Sequence, residues 1–276
     1  MKNWSRHATT SALRTAVLLG ALAASIAGAQ SAGNTARASD KPVPRVNGKP
    51  NLSGTWIPGS TLLLFEGEES VAAARAYDTA HGRAAPPAPE PPPYQPDAEK
   101  QRQYYLGRKG IDDPMARCLL SGVPRIMFRP LPFEIVQLPN RVIILYEIHH
   151  AFRIIPTDGT PHPDDAEPSY LGDSIARWDG DTLVVDVTAF NDKSWLQGVG
   201  TVHSEQLRVT ERYTRDTFET IRYEVTIEDP ATLTKPWHMQ DTMRLRPNER
   251  LREYECIESN EDIGRFEELL KTSDFK

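Results

Sequence analysis

Cysteine is nearly absent: Cys118 and Cys256 are the only two in 276 residues. Neither has a second cysteine close by, which argues against a thiolate zinc site. No histidine pair has a tight ligating spacing such as HExxH. His162 and His203, with Asp164, Asp165 and Glu205, offer imidazole and carboxylate, but loop histidines beside prolines are more commonly exposed or capping. No metal and no cofactor is therefore expected. The Gly-x-Ser-x-Gly elbow of serine hydrolases is missing too, since GDSIA around Ser174 departs from it. Beyond residue 29 no apolar run approaches the roughly 20 residues that a membrane-spanning helix needs. There is no internal repeat.

Acid is absent from the start of the chain, although over the whole chain acids outnumber bases, 38 to 32. The formal net charge is −6. The first 29 residues hold Lys2, Arg6 and Arg14 and no acid, followed by the apolar run TAVLLGALAASIAGA and a small-residue exit at Ala27-Gly28-Ala29. This pattern describes a secretory signal peptide over 1–29 rather than a membrane anchor. Its removal takes the charge to −9, and an acidic surface disfavours a nucleic-acid partner. The product is expected to be secreted or periplasmic. In that oxidising setting Cys118 and Cys256 are expected to form a disulfide rather than a reactive thiol.

Residues 30–50 are small and polar and read as a flexible lead-in. Residues 51–276 read as a single β domain. Within it, 69–83 has the alanine content of a helix, and the proline-rich strap at 84–97 is restricted to an extended polyproline run. This strap reads as a surface spacer or, alternatively, as a recognition motif for another protein. AEKQRQYYLGRKG reads as a second short helix, and EDIGRFEELLK as a third.

From residue 133 the pattern turns to strands. FEIVQL and RVIILYEI flank Pro139-Asn140, and SIARW and DTLVVDV flank Asp179-Gly180, the strongest hairpin signal present. QLRVTERYT and FETIRYEVTI follow, then MQDTMRLR and RLREYECIE around a turn near Asn248. No helical segment between them is long enough for a parallel crossover. The fold class is mainly β: an antiparallel meander closing into a barrel, or alternatively a two-sheet sandwich, with short peripheral helices. In RVIILYEIHHAFRII, strict alternation puts Glu147, His149 and Arg153 on one face and Tyr146, His150 and Phe152 on the other.

The hairpin at Asp179-Gly180 predicts that loops 156–173, 188–204 and 228–237 share one rim. There His203 is expected to face Asp173 or Asp192 as a proton shuttle. Trp195 and Trp237 offer rings for stacking, or else simply pack their loops. Asn191, Lys193, Arg153, His149, Asp158 and His162 complete the candidate ligand-binding set, with Arg153 and Lys193 suited to a carboxylate. The strand faces taken alone favour an ordinary core over a polar pocket.

The motifs GDSIARWDGDTLVVDVTAFNDKSWL, HAFRIIPTDGTPHP, HSEQLRVTERY and DPATLTKPW resemble those of a family of hypothetical secreted bacterial proteins, over roughly Asn51 to Asp262. The stretches DPMARCLLSGVPR and YECIESNED, which carry the two cysteines, are part of that resemblance. It implies no activity. Gly54-Thr55-Trp56 resembles the Gly-x-Trp start of lipocalin-like (calycin) barrels, in which the Trp lies beneath an Arg from a late strand; Arg252 is the expected counterpart. The functional expectation is an exported small-molecule-binding barrel, with or without acid–base catalysis (as a hydrolase, lyase or isomerase) on a carbohydrate, aromatic or isoprenoid compound. The alternative is a non-catalytic scaffold that binds a protein partner.

Overall fold

The computed structural model describes residues 41–60, 90–108 and 110–258, and residues 72, 75, 76, 78–80, 260, 264, 268 and 271. The expected leader, the first part of the lead-in and of the strap, and most of the helices expected over 69–83 and in the tail lie outside the described residues. The strands are β1 (Arg45–Val46), β2 (Lys49–Pro50), β3 (Gly54–Ile57), β4 (Phe133–Leu138), β5 (Arg141–Tyr146), β6 (Phe152–Pro156), β7 (Asp173–Asp179), β8 (Thr182–Thr188), β9 (Arg208–Thr214), β10 (Thr220–Glu228) and β11 (Trp237–Leu245). Helix α1 spans Pro96–Gly107.

Nine strands form one sheet in the order β6-β5-β4-β3-β11-β10-β9-β8-β7. Every neighbouring pair is antiparallel. The sheet is a nearly closed barrel. Its strands are rich in β-branched and aromatic residues, and alternate ones turn inward: Leu183, Val185 and Val187 of β8, then Ile221, Tyr223, Val225 and Ile227 of β10. The β7–β8 turn is Gly180-Asp181, since Asp179 pairs with Thr182; Gly180 supplies the positive φ of 59° that such a turn requires.

An odd number of antiparallel strands leaves the two outermost, β6 and β7, running in the same direction. They meet at the seam, where Arg153 of β6 donates to Ser174 Oγ of β7 at 2.9 Å. The link from β6 to β7 must therefore climb the height of the barrel. It leaves at the hairpin end, where Thr157 N–H donates to Asn140 O (2.9 Å), and arrives at the other end, where Ser169 N–H donates to Ala189 O (3.0 Å).

The hairpin end is closed by the start of the domain. Part of the expected flexible lead-in is a β1–β2 hairpin, turned at Asn47-Gly48 with both residues at positive φ. Arg45 ties it to Asp181 at 2.7 Å. Trp56 is fully buried, and its Nε1–H donates to Leu52 O at 2.9 Å. The arginine over its ring is Arg215, at 5.0 Å, and not Arg252 as expected. Arg215 donates to the carbonyls of Asn51, Thr217 and Phe218.

Arg252 lies elsewhere because 251–255 forms no strand. The expected partner of β11 is replaced by β3, and the segment after β11 crosses the β5–β6 corner instead. There Arg252 N–H donates to Glu147 Oε2 (2.8 Å) and Tyr254 N–H to His150 Nε2 (3.0 Å). The Cys118–Cys256 disulfide, with Cα atoms 5.6 Å apart, anchors this segment to the loop after a 3₁₀ turn at Pro114–Arg117.

The opposite end is plugged by a second 3₁₀ turn, Arg125–Phe128. Ile126, Met127 and Phe128 are at most 2% exposed. Phe128 reaches Tyr223 with ring centres 5.6 Å apart, and Tyr146 O–H points at Met127 Sδ (3.1 Å).

The interior is packed around an ion pair. Arg153 and Glu211 approach to 2.6 Å with side chains 2% and 0% exposed. Tyr213 and Tyr223 both donate to Glu211 Oε1, at 2.8 and 2.9 Å. Burial, with the Glu211 charge added, raises both phenols well above their usual range; burial pushes Tyr146 up to about 12. Burial opposes the Arg153 charge, and Glu211 more than offsets it. The alternation expected over 141–155 breaks at a tight turn, where His149 and His150 have φ of 56° and 49°. The period restarts there, so Tyr146 and Arg153 both face inward.

Candidate functional site

The registers Asp173↔Thr188, Arg208↔Glu228 and Ile227↔Trp237 set loops 189–207 and 229–236 at the plugged end. The stretch 157–172 is a crossover rather than a third rim loop, so its residues spread along the barrel. Asp158 stays near the hairpin end, accepting from Thr160 N–H and Oγ1–H at 3.2 and 2.6 Å. Those hydrogen bonds hold its carboxyl below the usual range.

His162 docks on the outer face of β7 and β8. Its Nδ1 lies 2.5 Å from Asp173 and its Nε2 lies 3.4 Å from Asp186. Arg208 grips Asp186 with two hydrogen bonds, at 2.8 and 2.7 Å. Burial works to raise the Asp186 carboxyl, but Arg208 and His162 outweigh it and leave it below the usual range. Asp173 therefore does not face His203. Ser174 points inward, so its neighbour Asp173 must point out.

The loop after β8 builds a different constellation. Asn191 is buried, its Oδ1 accepting from Lys193 N–H at 3.0 Å. Its own N–H donates to Ser169 O at 2.9 Å. This Asx turn leaves Asp192 and Lys193 exposed and carries the next residue, Ser194, beneath the surface. Ser194 Oγ lies 2.9 Å from His203 Nε2. The other ring nitrogen, Nδ1, lies 3.0 Å from Ser204 O. A carbonyl only accepts, so Nδ1 carries the hydrogen and Nε2 presents its lone pair to the serine hydroxyl. Ser204 is fixed in turn by Asp229, to which it donates from N–H (2.6 Å) and Oγ–H (2.7 Å).

Burial lowers the His203 pKa, while Ser204, Asp229 and Asp192 pull it back up. Asp192 thus acts on His203 through its charge. Phe190 packs edge-on against the imidazole at 6.2 Å. Over the serine runs residue 122, where a Cβ would lie 2.3 Å from Ser194 Oγ. Gly122 is needed for that approach and for its own φ of 73°. Beside it, the Ser121 hydroxyl is buried without a hydrogen-bond partner.

The tryptophans pack their loops. Trp195 is 5% exposed, 5.3 Å from the Tyr105 ring and under the Arg125 guanidinium at 5.9 Å. Arg125 is locked to both oxygens of Asp113 (2.8 and 2.6 Å). Trp237 is buried, and its Nε1–H donates to Glu90 O at 2.9 Å. It anchors the end of the proline strap, which is held further by Gln95 N–H on Thr232 O and Thr234 N–H on Pro93 O. Arg153 lies in the barrel interior and His149 at the β5–β6 corner. Of the expected site residues, the structure groups Asn191, Asp192, Lys193, Trp195 and His203, and separates Asp158, His162, Asp173, Arg153, His149 and Trp237 from them.

Ser194 was hidden within NDKSWL because nothing local distinguishes it; its partner lies nine residues on, across a turn that the sequence does not specify. Asp229 opens the loop after β10 and carried no signal beyond the Asp-Pro turn. Among the described residues no group of three or more His, Cys, Asp or Glu could hold a metal ion, and no helix is long and apolar enough to cross a membrane. No family model, curated protein or solved structure matches this chain.

Proposed function

We propose that this is an exported enzyme acting on a small molecule at the plugged end of the barrel, with Ser194 as nucleophile and His203 as general base. The observation that carries the reading is the 2.9 Å Ser194–His203 contact, with the imidazole tautomer set by the Ser204 carbonyl. In an acyl transfer, Ser194 Oγ would bond to the carbonyl carbon while its proton passes to His203 Nε2. The same proton would then go to the leaving group as the acyl bond breaks, and water would release the acyl group by the reverse sequence. A neutral histidine, favoured by burial, is the form this requires.

Export is supported by the leader pattern and by the disulfide. Kinship with lipocalin-like barrels is supported by Trp56 lying beneath Arg215 at the closed end. The resemblance to hypothetical secreted bacterial proteins is retained as a proposal on its motifs alone. A protein-interaction role is favoured by one observation: Leu145, Phe152 and Ile154 are exposed side by side on the outer face of β5 and β6.

The test is covalent labelling with a fluorophosphonate, followed by peptide mass spectrometry. The expected adduct is on Ser194, absent in Ser194→Ala and slowed about 100-fold or more in His203→Ala. Circular dichroism would check that both variants are folded. No adduct on Ser194, or one whose rate ignores His203, would rule the reading out.

A further inference from the structure

Chain entering β4 and chain leaving β5 emerge together, because Phe133 pairs with Tyr146 and Glu147 N–H donates to Pro132 O at 3.2 Å. This corner gathers Arg129, which ends the plugging turn, and His149, on the positive-φ turn between β5 and β6. Tyr254 covers it, its ring edge-on to His149 at 6.5 Å.

The polar groups here do not balance. Arg129 Nε and His149 Nε2 are both buried without a hydrogen-bond partner, as is Arg125 Nε. A buried donor left unpaired costs about 1–3 kcal/mol in general, and more when it is charged. The acids of the corner are engaged elsewhere. Both oxygens of Asp113 are held by Arg125. Glu147 accepts from Arg252 N–H, and Glu255 faces His150 at 3.6 Å. Burial and then the nearby Arg125 charge bring the Arg129 guanidinium down to about 10, and Asp113 and Tyr254 offset only part of this. Burial followed by Arg129 and His150 lowers His149 as well. Non-glycine residues at positive φ cost conformational energy, and here two histidines in succession carry it.

We infer that Arg129 and His149 form a binding site for the carboxylate of a small molecule. A carboxylate has the charge that this corner lacks. It can accept from the guanidinium edge with one oxygen and from the imidazole with the other. Neither residue is fully exposed or fully buried, so each reaches the surface while holding its free nitrogen inward. The assignment moves the carboxylate-holding role expected of Arg153 to a cation that forms no ion pair among the described residues. It does not depend on the Ser194–His203 reading.

The experiment is a titration of the mature, disulfide-bonded protein with acetate and with benzoate, against phosphate and chloride at equal ionic strength. Binding is read by calorimetry and by the ¹⁵N–¹H resonance of Arg129 Nε. The expected result is saturable carboxylate binding that shifts that resonance. Affinity should fall about 10–100-fold in Arg129→Met, the loss expected for one charge-assisted hydrogen bond. His149→Asn, in which Asn suits the positive φ, should weaken it less. Arg129→Lys, keeping charge but losing the planar edge, should recover part of the affinity. The inference is overturned by carboxylates that leave the Arg129 resonance unmoved in the unmodified protein, by phosphate binding tighter than either carboxylate, or by folded Arg129→Met binding undiminished.

Discussion

Replacing Glu211 by Gln removes one charge from the centre of the barrel and almost no volume. Arg153 would keep its charge with a 2% exposed side chain, left with the neutral Ser174 and Tyr146 hydroxyls as partners and no carboxylate. Tyr213 and Tyr223 share a single Glu211 oxygen, and an amide accepts more weakly there than a carboxylate. Stranding one member of a buried ion pair costs about 3–5 kcal/mol. With a urea slope of about 3 kcal/mol/M for a domain of this size, the midpoint should fall by about 1–2 M. Tryptophan fluorescence would follow the transition, with the disulfide kept oxidised and the slope checked for constancy. Arg153→Met/Glu211→Gln, which removes both charges, should recover much of the loss, so the double-mutant coupling should reach about 2 kcal/mol or more. A midpoint within about 0.3 M of the unmodified protein would refute the reasoning. It would mean that water or a ligand neutralises Arg153, and the barrel interior would again be a candidate binding chamber.

Gly122→Ala should destabilise by at least about 2 kcal/mol, from positive-φ strain and the clash at Ser194 Oγ; thermal melting checks this, and labelling of Ser194 should fall with it. Asp241 is pushed up to about 6 by burial, from 3.8. Because the folded state holds that proton more tightly, its favourable contribution is full below pH 3.8 and is lost as pH rises through 6. The loss amounts to about 3 kcal/mol, and urea midpoints measured from pH 4 to 7 should show it in the unmodified protein and lack it in Asp241→Asn. Reducing Cys118–Cys256, which closes a separation of 138 residues, should cost up to about 5 kcal/mol in the chain-entropy account. Denaturation with and without reductant measures it, and a change below about 1 kcal/mol would place the benefit outside unfolded-chain entropy.

The β class, the disulfide and α1 were legible because each has a local cause. Leu183, Val185 and Val187 alternate, Gly180 turns the chain, two lone cysteines share a chain whose first residues read as an export signal, and Gly107 ends a run of helix formers. Long-range partners were not legible. The sequence RLREYECIE has strand-like composition, yet its backbone is claimed by Glu147 and His150. Arg215 and Arg252 are equally eligible to cover Trp56 until the register of β9 and β10 is known. At 147–151 the period-2 pattern misleads, because it cannot signal the pair of positive-φ histidines that resets it. Glu211 was the missed clue: an acid between Val209 and Tyr213 on an inward face announces a buried cation somewhere in the chain. The companion inference, that Arg153 is that cation, needed the reset at 147–151.

Strand parity links the interior to the candidate chemistry. With β6 and β7 parallel at the seam, the chain cannot close the barrel with a tight hairpin, and it spends 157–172 climbing the outside. That climb brings Ser169 beside Ala189 and Asn191, and their backbone hydrogen bonds set the Asx turn that buries Ser194. The open seam also lacks a backbone ladder between its strands, and Arg153 spans it with bonds to Ser174 and Glu211. An arginine so engaged cannot also hold a ligand. The carboxylate proposed as ligand would then fall to a cation outside the barrel interior, and Arg129, at the rim of the plug with its Nε unpaired, meets that condition.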